Sequence, residues 1–132
     1  MKVVVSSGKR KSAVARANIR KGKGIVRING VPVEMHEPHL ARVMIMEPLT
    51  LAGDRSTKVD IEVNVTGGGV MGQANASRTA IAKGLVQFLE DDELHTMYTK
   101  YDRSLLVSDP RRKLPKNPQG RGARKKHQKS YR

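Results

Sequence analysis

The chain has 132 residues and a net charge of +14, from 26 Lys and Arg against 12 Asp and Glu. It contains no cysteine, which excludes disulfides, thiolate metal sites and cysteine nucleophiles. Its first apolar run covers only residues 3–5, too short for a signal peptide or a membrane span. We therefore expect a soluble, intracellular protein with no membrane partner.

The first half of the chain predicts strands joined by tight turns. Small apolar and polar residues alternate over residues 13–20, which predicts a strand with one buried face. A Lys- and Gly-rich turn at 21–24 leads into a second strand over 25–28. Asn29-Gly30 is typical of a two-residue turn, because both residues tolerate positive φ. Pro32 fits only an edge strand or the start of a strand.

The second half predicts helices around one further strand. A short helix is expected over residues 39–46, with Pro48 ending it. Strict alternation over 59–65 predicts a strand, and the apolar spacing over 70–90 predicts the longest helix, in which Gly84 indicates close packing on a neighbour. Residues 93–106 carry a weaker helical pattern. This order predicts one α+β domain with a mixed or antiparallel sheet.

The composition changes abruptly after residue 109. Residues 110–132, called the basic tail below, contain ten Lys or Arg and no acid, whereas residues 1–109 carry a net charge of only +4. The basic tail has too few apolar residues to offset the entropy of folding, and its prolines favour extended backbone. We predict a globular body over residues 1–109 and an extended tail that becomes ordered on nucleic-acid phosphates. A solvated tail without a dedicated partner is the alternative.

A glycine motif follows the strand at 59–65. Gly67, Gly69 and Gly72 match the G-x-G-x-x-G pattern of dinucleotide-binding proteins. The acids that should follow a second parallel strand lie instead at the helix end, and the chain is too short for two βαβ halves. Gln73 also occupies the position where a phosphate-binding loop requires Lys. The motif predicts a tight turn into a helix and no nucleotide cofactor, although free N–H groups there could hold a phosphate of a larger polymer.

Other catalytic or metal-binding patterns are weak. His36 and His39 are three residues apart with Pro38 between them, whereas a helical zinc site needs a spacing of four. The serines near the amino terminus have no base close to them in sequence. We predict neither an enzyme nor a metal site.

The cations of the body cluster around the first predicted strand. One group precedes this strand, two arginines share its outer face, and the rest continue over the turn onto the next strand, so that a two-stranded ribbon would carry one basic face. Such a face contacts phosphates without reading sequence. These residues are Lys9, Arg10, Lys11, Arg16, Arg20, Lys21, Lys23 and Arg27.

Arg78 allows two interpretations. It lies on the apolar stripe of the predicted helix, four residues after Ala74 and three before Ile81. It is either a core-edge residue whose charged end reaches solvent or a phosphate contact beside the glycine turn.

Four segments carry a resemblance to a known family. They are GKRKSAVARANI (8–19), KGKGIVRINGVPVE (21–34), VNVTGGGVMGQANASRTAIAKGL (63–85) and KKHQKSYR (125–132). The chain resembles the family of the ninth protein of the small ribosomal subunit, and its ending Ser-Tyr-Arg is similar to the archaeal and eukaryotic branch.

The resemblance implies a cytoplasmic, non-catalytic constituent of the small ribosomal subunit with a left-handed βαβ unit. It implies that the body binds ribosomal RNA in the subunit head beside neighbouring head proteins, and that the basic tail reaches the transfer RNA in the peptidyl site. The rRNA contacts would be the eight clustered cations, Arg78, Arg111, Arg112, Lys113, Lys116, Arg121, Arg124, Lys125 and Lys126. The tRNA contacts would be Lys129, Ser130, Tyr131 and Arg132.

The alternatives are a DNA-compacting protein and, less well supported by the residues, a nucleotide-dependent enzyme at the glycine turn.

Overall fold

The computed structural model describes residues 2–109, 111, 114–116 and 118. This part of the chain forms an α+β domain with a mixed five-stranded sheet in the order β1-β2-β5-β3-β4, which confirms the predicted fold class. The elements are β1 (Val3–Arg10), β2 (Ala13–Lys21), β3 (Val26–Ile28), β4 (Val31–Pro32), α1 (His39–Ala52), β5 (Val59–Thr66), α2 (Val70–Leu89) and α3 (Asp92–Tyr101).

The sequence pattern missed the edge strand β1. It pairs antiparallel with β2 along its whole length, from Val3 opposite Arg20 to Arg10 opposite Ala13. Its inward positions include Ser6 and Gly8, which do not give the apolar alternation that marks a half-buried strand. Lys9 and Arg10 therefore lie on a strand and not, as predicted, before the first one.

Gly8 sets how closely β1 lies on α2. A Cβ placed on Gly8 would lie 2.4 Å from the Ala76 carbonyl oxygen and 2.7 Å from the Ala80 nitrogen, both backbone atoms. We expect Gly8→Ala to lower the free energy of unfolding by about 1–2 kcal/mol, because an edge strand relieves part of the overlap by moving outward. Urea unfolding checks this value.

Gly72→Ala is the matched control for that change. A Cβ at Gly72, in the first turn of α2, meets its nearest neighbour at 3.7 Å, an ordinary contact. The substitution should raise the free energy of unfolding by about 0.5 kcal/mol through helix propensity. If the two substitutions change the free energy of unfolding equally, the close β1–α2 contact at Gly8 does not contribute to stability.

The predicted two-stranded ribbon of β2 and β3 is wrong, because β5 lies between them. β5 pairs antiparallel with β2 and parallel with β3. Its eight residues offer a longer ladder than the three of β3. The parallel β3–β5 pair, connected through α1, is a βαβ unit; its left-handed sense stays a prediction.

The Asn29-Gly30 turn is confirmed, with φ of 52° and 83° at these residues. Asn29 also extends the sheet, since its backbone N–H donates to the Val63 carbonyl at 2.7 Å. Its side chain accepts from Val65 N at 2.9 Å and donates to Val65 O at 3.2 Å. Pro32 lies on the outermost strand β4, as expected for a residue that cannot donate to a ladder.

Pro48 does not end α1, contrary to the prediction. The helix continues to Ala52 with buried Pro48 inside it and stops at Gly53, which has a φ of 62°. Tertiary contacts hold this turn, because α1 packs on α2 and the buried Tyr98 hydroxyl donates to the Pro48 carbonyl at 2.7 Å. These contacts offset the hydrogen bond that proline cannot make.

The long helix α2 is the centre of the domain and confirms the predicted 70–90 helix. It packs on β1, β2 and α1. A Cβ on Gly84 would lie 2.0 Å from Ile19 Cδ1, which confirms the close packing predicted for this glycine. The helices leave the other face of the sheet open.

Acids after α2 cap the next helix. The Asp91 carboxylate accepts from the Glu93 and Leu94 backbone N–H groups at 3.0 and 3.2 Å, as an N-cap does. α3 ends at Tyr101, earlier than predicted, and a 3-10 helix follows at Arg103–Leu105. Within the described residues, no helix has the length and apolar character needed to cross a membrane.

Candidate RNA-binding surface

Seven of the eight cations of the predicted basic cluster fall into two groups at opposite ends of β2. One group surrounds the β1–β2 turn, and the other surrounds the loop between β2 and β3. Arg16 lies between them on β2, opposite Ser7 on one side and Asn64 on the other. The two groups do not form one continuous basic ribbon, because β5 lies between β2 and β3 and brings Asp60 and Glu62 into the open face of the sheet.

Acids offset the charge at the β2–β3 end. Arg20 lies opposite Asp60 and Arg27 lies opposite Glu62 in the sheet register. The Asp60 carboxylate accepts from the backbone N–H groups of Lys23 and Ile25 at 2.9 and 3.1 Å. These backbone hydrogen bonds hold the pKa of Asp60 below its usual value. Asp60 therefore fixes the loop that presents Lys21 and Lys23, and reduces the net charge of this end.

The β1–β2 end has more uncompensated charge. Lys9 and Lys11 at this end, and Arg16 further along β2, are exposed, and none of them makes an ion pair within the described part of the chain. Lys11 lies in the turn itself with a φ of 56°. Asp109 is the acid at this end, and Arg10 Nη1 lies 2.6 Å from its Oδ2.

The start of α2 lies against this turn. A Cβ on Gly67 would lie 2.5 Å from the Ser12 carbonyl oxygen, so glycine is required for the contact. α2 begins without an acid in its first turn and without a side-chain cap. An open pocket of about 300 Å³ is lined by residues 10–12 and by the first turns of the helix. The glycine motif is thus a tight turn, as predicted, and it places a positive helix end beside Lys11.

Arg78 is buried, with 8% of its side chain exposed. Its Nη2 lies 2.7 Å from Glu47 Oε2 on α1 and 3.1 Å from Asp102 Oδ2, and its Nη1 donates to Ser104 Oγ at 3.2 Å. Two carboxylates therefore neutralise its charge inside the domain. This position agrees with a residue at the edge of the core, but the charged end of Arg78 lies between carboxylates and does not reach solvent as that interpretation expected.

The basic tail begins beside β1. Arg111 Nε and Nη2 donate to the Asp109 carboxylate at 2.9 and 2.7 Å. Lys116 is exposed. The other predicted contacts of the basic tail lie outside the described residues: Arg112, Lys113, Arg121, Arg124, Lys125, Lys126, Lys129, Ser130, Tyr131 and Arg132.

Sequence reasoning missed Asp109 as part of this surface. The signal for it is its position as the last acid before a segment of 23 residues that has none. Both Arg10 and Arg111 donate to its carboxylate, but Arg10 is far away in sequence.

Comparison with known proteins finds relatives that match the whole length of the chain. The family model described as ribosomal protein S9/S16 matches residues 8–132. The chain is 57% identical to the small ribosomal subunit protein uS9 of Thermoplasma volcanium over 132 residues, which is all of both chains. It is 55% identical to the uS9 protein of Methanothrix thermoacetophila, again over the full length of both. The chain therefore belongs to the ribosomal protein S9/S16 family.

Proposed function

We propose that this protein is a non-catalytic structural constituent of the small ribosomal subunit in the cytoplasm. Its body binds ribosomal RNA in the subunit head, beside neighbouring head proteins, and its basic tail reaches the transfer RNA in the peptidyl site. The names of its relatives support the assignment to the small subunit. The family resemblance of the sequence supports the location in the head and the contact with tRNA.

One observation carries the RNA-binding part of this proposal. Ten cations without an acid follow directly on a body whose exposed Lys9 and Lys11 lie at the end of the sheet where the basic tail begins, with exposed Arg16 further along β2. The basic tail thus starts beside exposed cations of the body. RNA phosphates are dense enough in negative charge to bind such a surface, and they position a protein without sequence readout.

We propose Lys9, Lys11, Arg16 and the cations of the β2–β3 loop as the rRNA contacts of the body. Arg78 belongs to the packing of the domain in this proposal, because Glu47 and Asp102 already neutralise it. Arg10 and Arg111 both bind the Asp109 carboxylate and are therefore not assigned to rRNA in this proposal.

Chain length makes the tRNA contact feasible. A body of about 109 residues has a radius of gyration of only ~13 Å. A segment of 23 residues spans up to ~70 Å at ~3.1 Å per residue when extended. The end of the basic tail therefore has the reach to contact a site far from the place where the body binds.

Deleting residues 129–132 should speed tRNA dissociation from the peptidyl site by about tenfold, the effect of losing ~1.4 kcal/mol of charge-assisted contact. Incorporation of the protein into small subunits should stay unchanged, because the remaining cations are kept. Filter binding of labelled tRNA to reconstituted subunits measures the rate.

Two variants separate the contributions of charge and ring. The Lys129→Gln/Arg132→Gln double variant keeps the length of the chain and should reproduce most of the effect. Tyr131→Ala removes the aromatic ring but keeps both charges, and it should speed tRNA dissociation less. Dissociation as slow as in the unaltered subunit after the deletion would refute the tRNA contact.

Sedimentation of the native protein tests the assignment to the subunit. We expect the protein in the small-subunit fraction of a sucrose gradient, crosslinked to small-subunit rRNA by ultraviolet light. Recovery with DNA in place of small subunits would favour the DNA-compacting alternative.

A further inference from the structure

The segment that leads to the basic tail is fixed across α2. The Thr79 hydroxyl donates to the Ser104 carbonyl at 3.1 Å, and Lys83 Nζ donates to Ser108 Oγ at 3.0 Å. Leu105 is fully buried between these contacts. The chain is therefore held at several points before it reaches Asp109.

Asp109 attaches the end of this segment to β1 through its backbone. Its N–H donates to the Lys9 carbonyl at 2.9 Å, and its carbonyl accepts from Lys11 N at 3.0 Å. This is a short parallel pairing on the free edge of the sheet. Paired strand backbone fixes the direction of the chain as well as its position.

The Asp109 carboxylate joins the body to the basic tail. Arg10 Nη1 approaches Oδ2 from β1 at 2.6 Å. Arg111 binds both oxygens through Nε and Nη2, and its backbone N–H donates to Oδ1 at 3.1 Å. A bidentate guanidinium of this kind fixes orientation as well as charge. The Asp109 side chain is only 18% exposed, so the arginines largely enclose it.

These hydrogen bonds from Arg111 lower the pKa of Asp109 to about 2. A depressed pKa means that the ionised form is favoured in the folded protein. The ionised Asp109 therefore stabilises the fold fully above the unfolded pKa, and this stabilisation is lost as the pH falls through about 2. The Asp109 carboxylate is thus fully charged at neutral pH.

We infer that Asp109 is a positioning residue that sets where, and in which direction, the basic tail leaves the body. The inference rests on the proposed contact between the basic tail and tRNA. A fixed origin reduces the volume that the tail explores and so raises its effective concentration at one site. An acid at the root of a polycation would otherwise only weaken binding to phosphate.

The direction in which one substitution changes the rate of tRNA dissociation tests this inference. Asp109→Ala removes a negative charge, so if only charge matters, tRNA should dissociate more slowly from the peptidyl site. If Asp109 positions the basic tail, tRNA should dissociate about threefold faster in reconstituted subunits. Asp92→Asn, at an exposed acid of α3, is the control for loss of one negative charge and should not speed dissociation.

A second measurement does not depend on tRNA. The chain has no cysteine, so spin labels at Lys100→Cys and Lys116→Cys report one distance between the body and the basic tail. Asp109→Ala should broaden and shift this distance distribution in the full-length protein. An unchanged distribution, or slower tRNA dissociation, would overturn the inference.

The two proposals fail differently. If deletion of residues 129–132 speeds tRNA dissociation but Asp109→Ala does not, the tRNA contact stands and the positioning role is wrong. If the deletion has no effect, the tRNA contact itself is wrong, and the spin-label distances alone decide whether Asp109 orients the basic tail.

Discussion

Removal of residues 110–132 should lower the affinity of the protein for small-subunit rRNA by roughly three orders of magnitude or more at 0.1 M salt. Each Lys or Arg that neutralises a phosphate releases bound counterions, and the slope of log affinity against log salt changes by ~0.7 per contact on single-stranded RNA. If all ten cations of the basic tail meet phosphates, the slope should become shallower by about 7. Filter binding from 50 to 300 mM KCl measures both quantities.

The control for this deletion keeps the chain length and removes only charge. A variant in which all ten Lys and Arg of the basic tail are replaced by Gln should lose nearly as much affinity and slope as the deletion. If the deleted protein binds within about twofold of the full chain and with the same slope, the basic tail is not the main RNA-binding element, and the body would have to supply the affinity.

The second large effect is on stability. Arg78→Met should lower the free energy of unfolding by about 3 kcal/mol, because it leaves Glu47 and Asp102 facing each other without their shared cation. The figure is at the low end for a broken buried pair, since the two carboxylates are 28% and 43% exposed and partly regain water. Urea or thermal unfolding of the free protein, without RNA, measures it.

Arg103→Met provides the matched control for Arg78→Met. Arg103 belongs to the neighbouring 3-10 helix, but it is exposed and makes no ion pair within the described part of the chain. Its replacement should change the free energy of unfolding by less than about 0.5 kcal/mol. If both variants are as stable as the parent while Arg78→Met weakens rRNA binding, Arg78 is an RNA contact and not a packing residue.

Local periodicity was sufficient to predict several elements correctly. β2 and β5 alternate buried and exposed side chains over their length, and the pattern of α2 has the helical spacing. The turn at Asn29 follows from the rare tolerance of these residues for positive φ. In each case the signal lies within a few residues of the feature it predicts.

The errors have non-local causes. β1 carries Ser6 and Gly8 on its inner face because α2 lies too close for larger side chains, and a single sequence gives no sign of that contact. The position of β5 between β2 and β3 depends on pairing across more than 30 residues. Pro48 stays inside α1 because its neighbours hold it there.

For the candidate site too, local features could be predicted from the sequence and non-local contacts could not. Charge clustering in the sequence was enough to predict a polyanion-binding protein, since counts of Lys and Arg need no structure. The sequence could not predict which cations form ion pairs within the protein, because Arg78 contacts Asp102 and Arg10 contacts Asp109 only after folding. These pairs join residues that are 24 and 99 positions apart.

A density map of the small ribosomal subunit purified from the source organism tests the central claim most directly. We expect the body in the subunit head, with the β1–β2 turn on rRNA phosphates and residues 110–132 lying along rRNA with their last residues at the peptidyl site. A subunit map without this chain, or one in which residues 110–132 make no contact with RNA, would contradict the account.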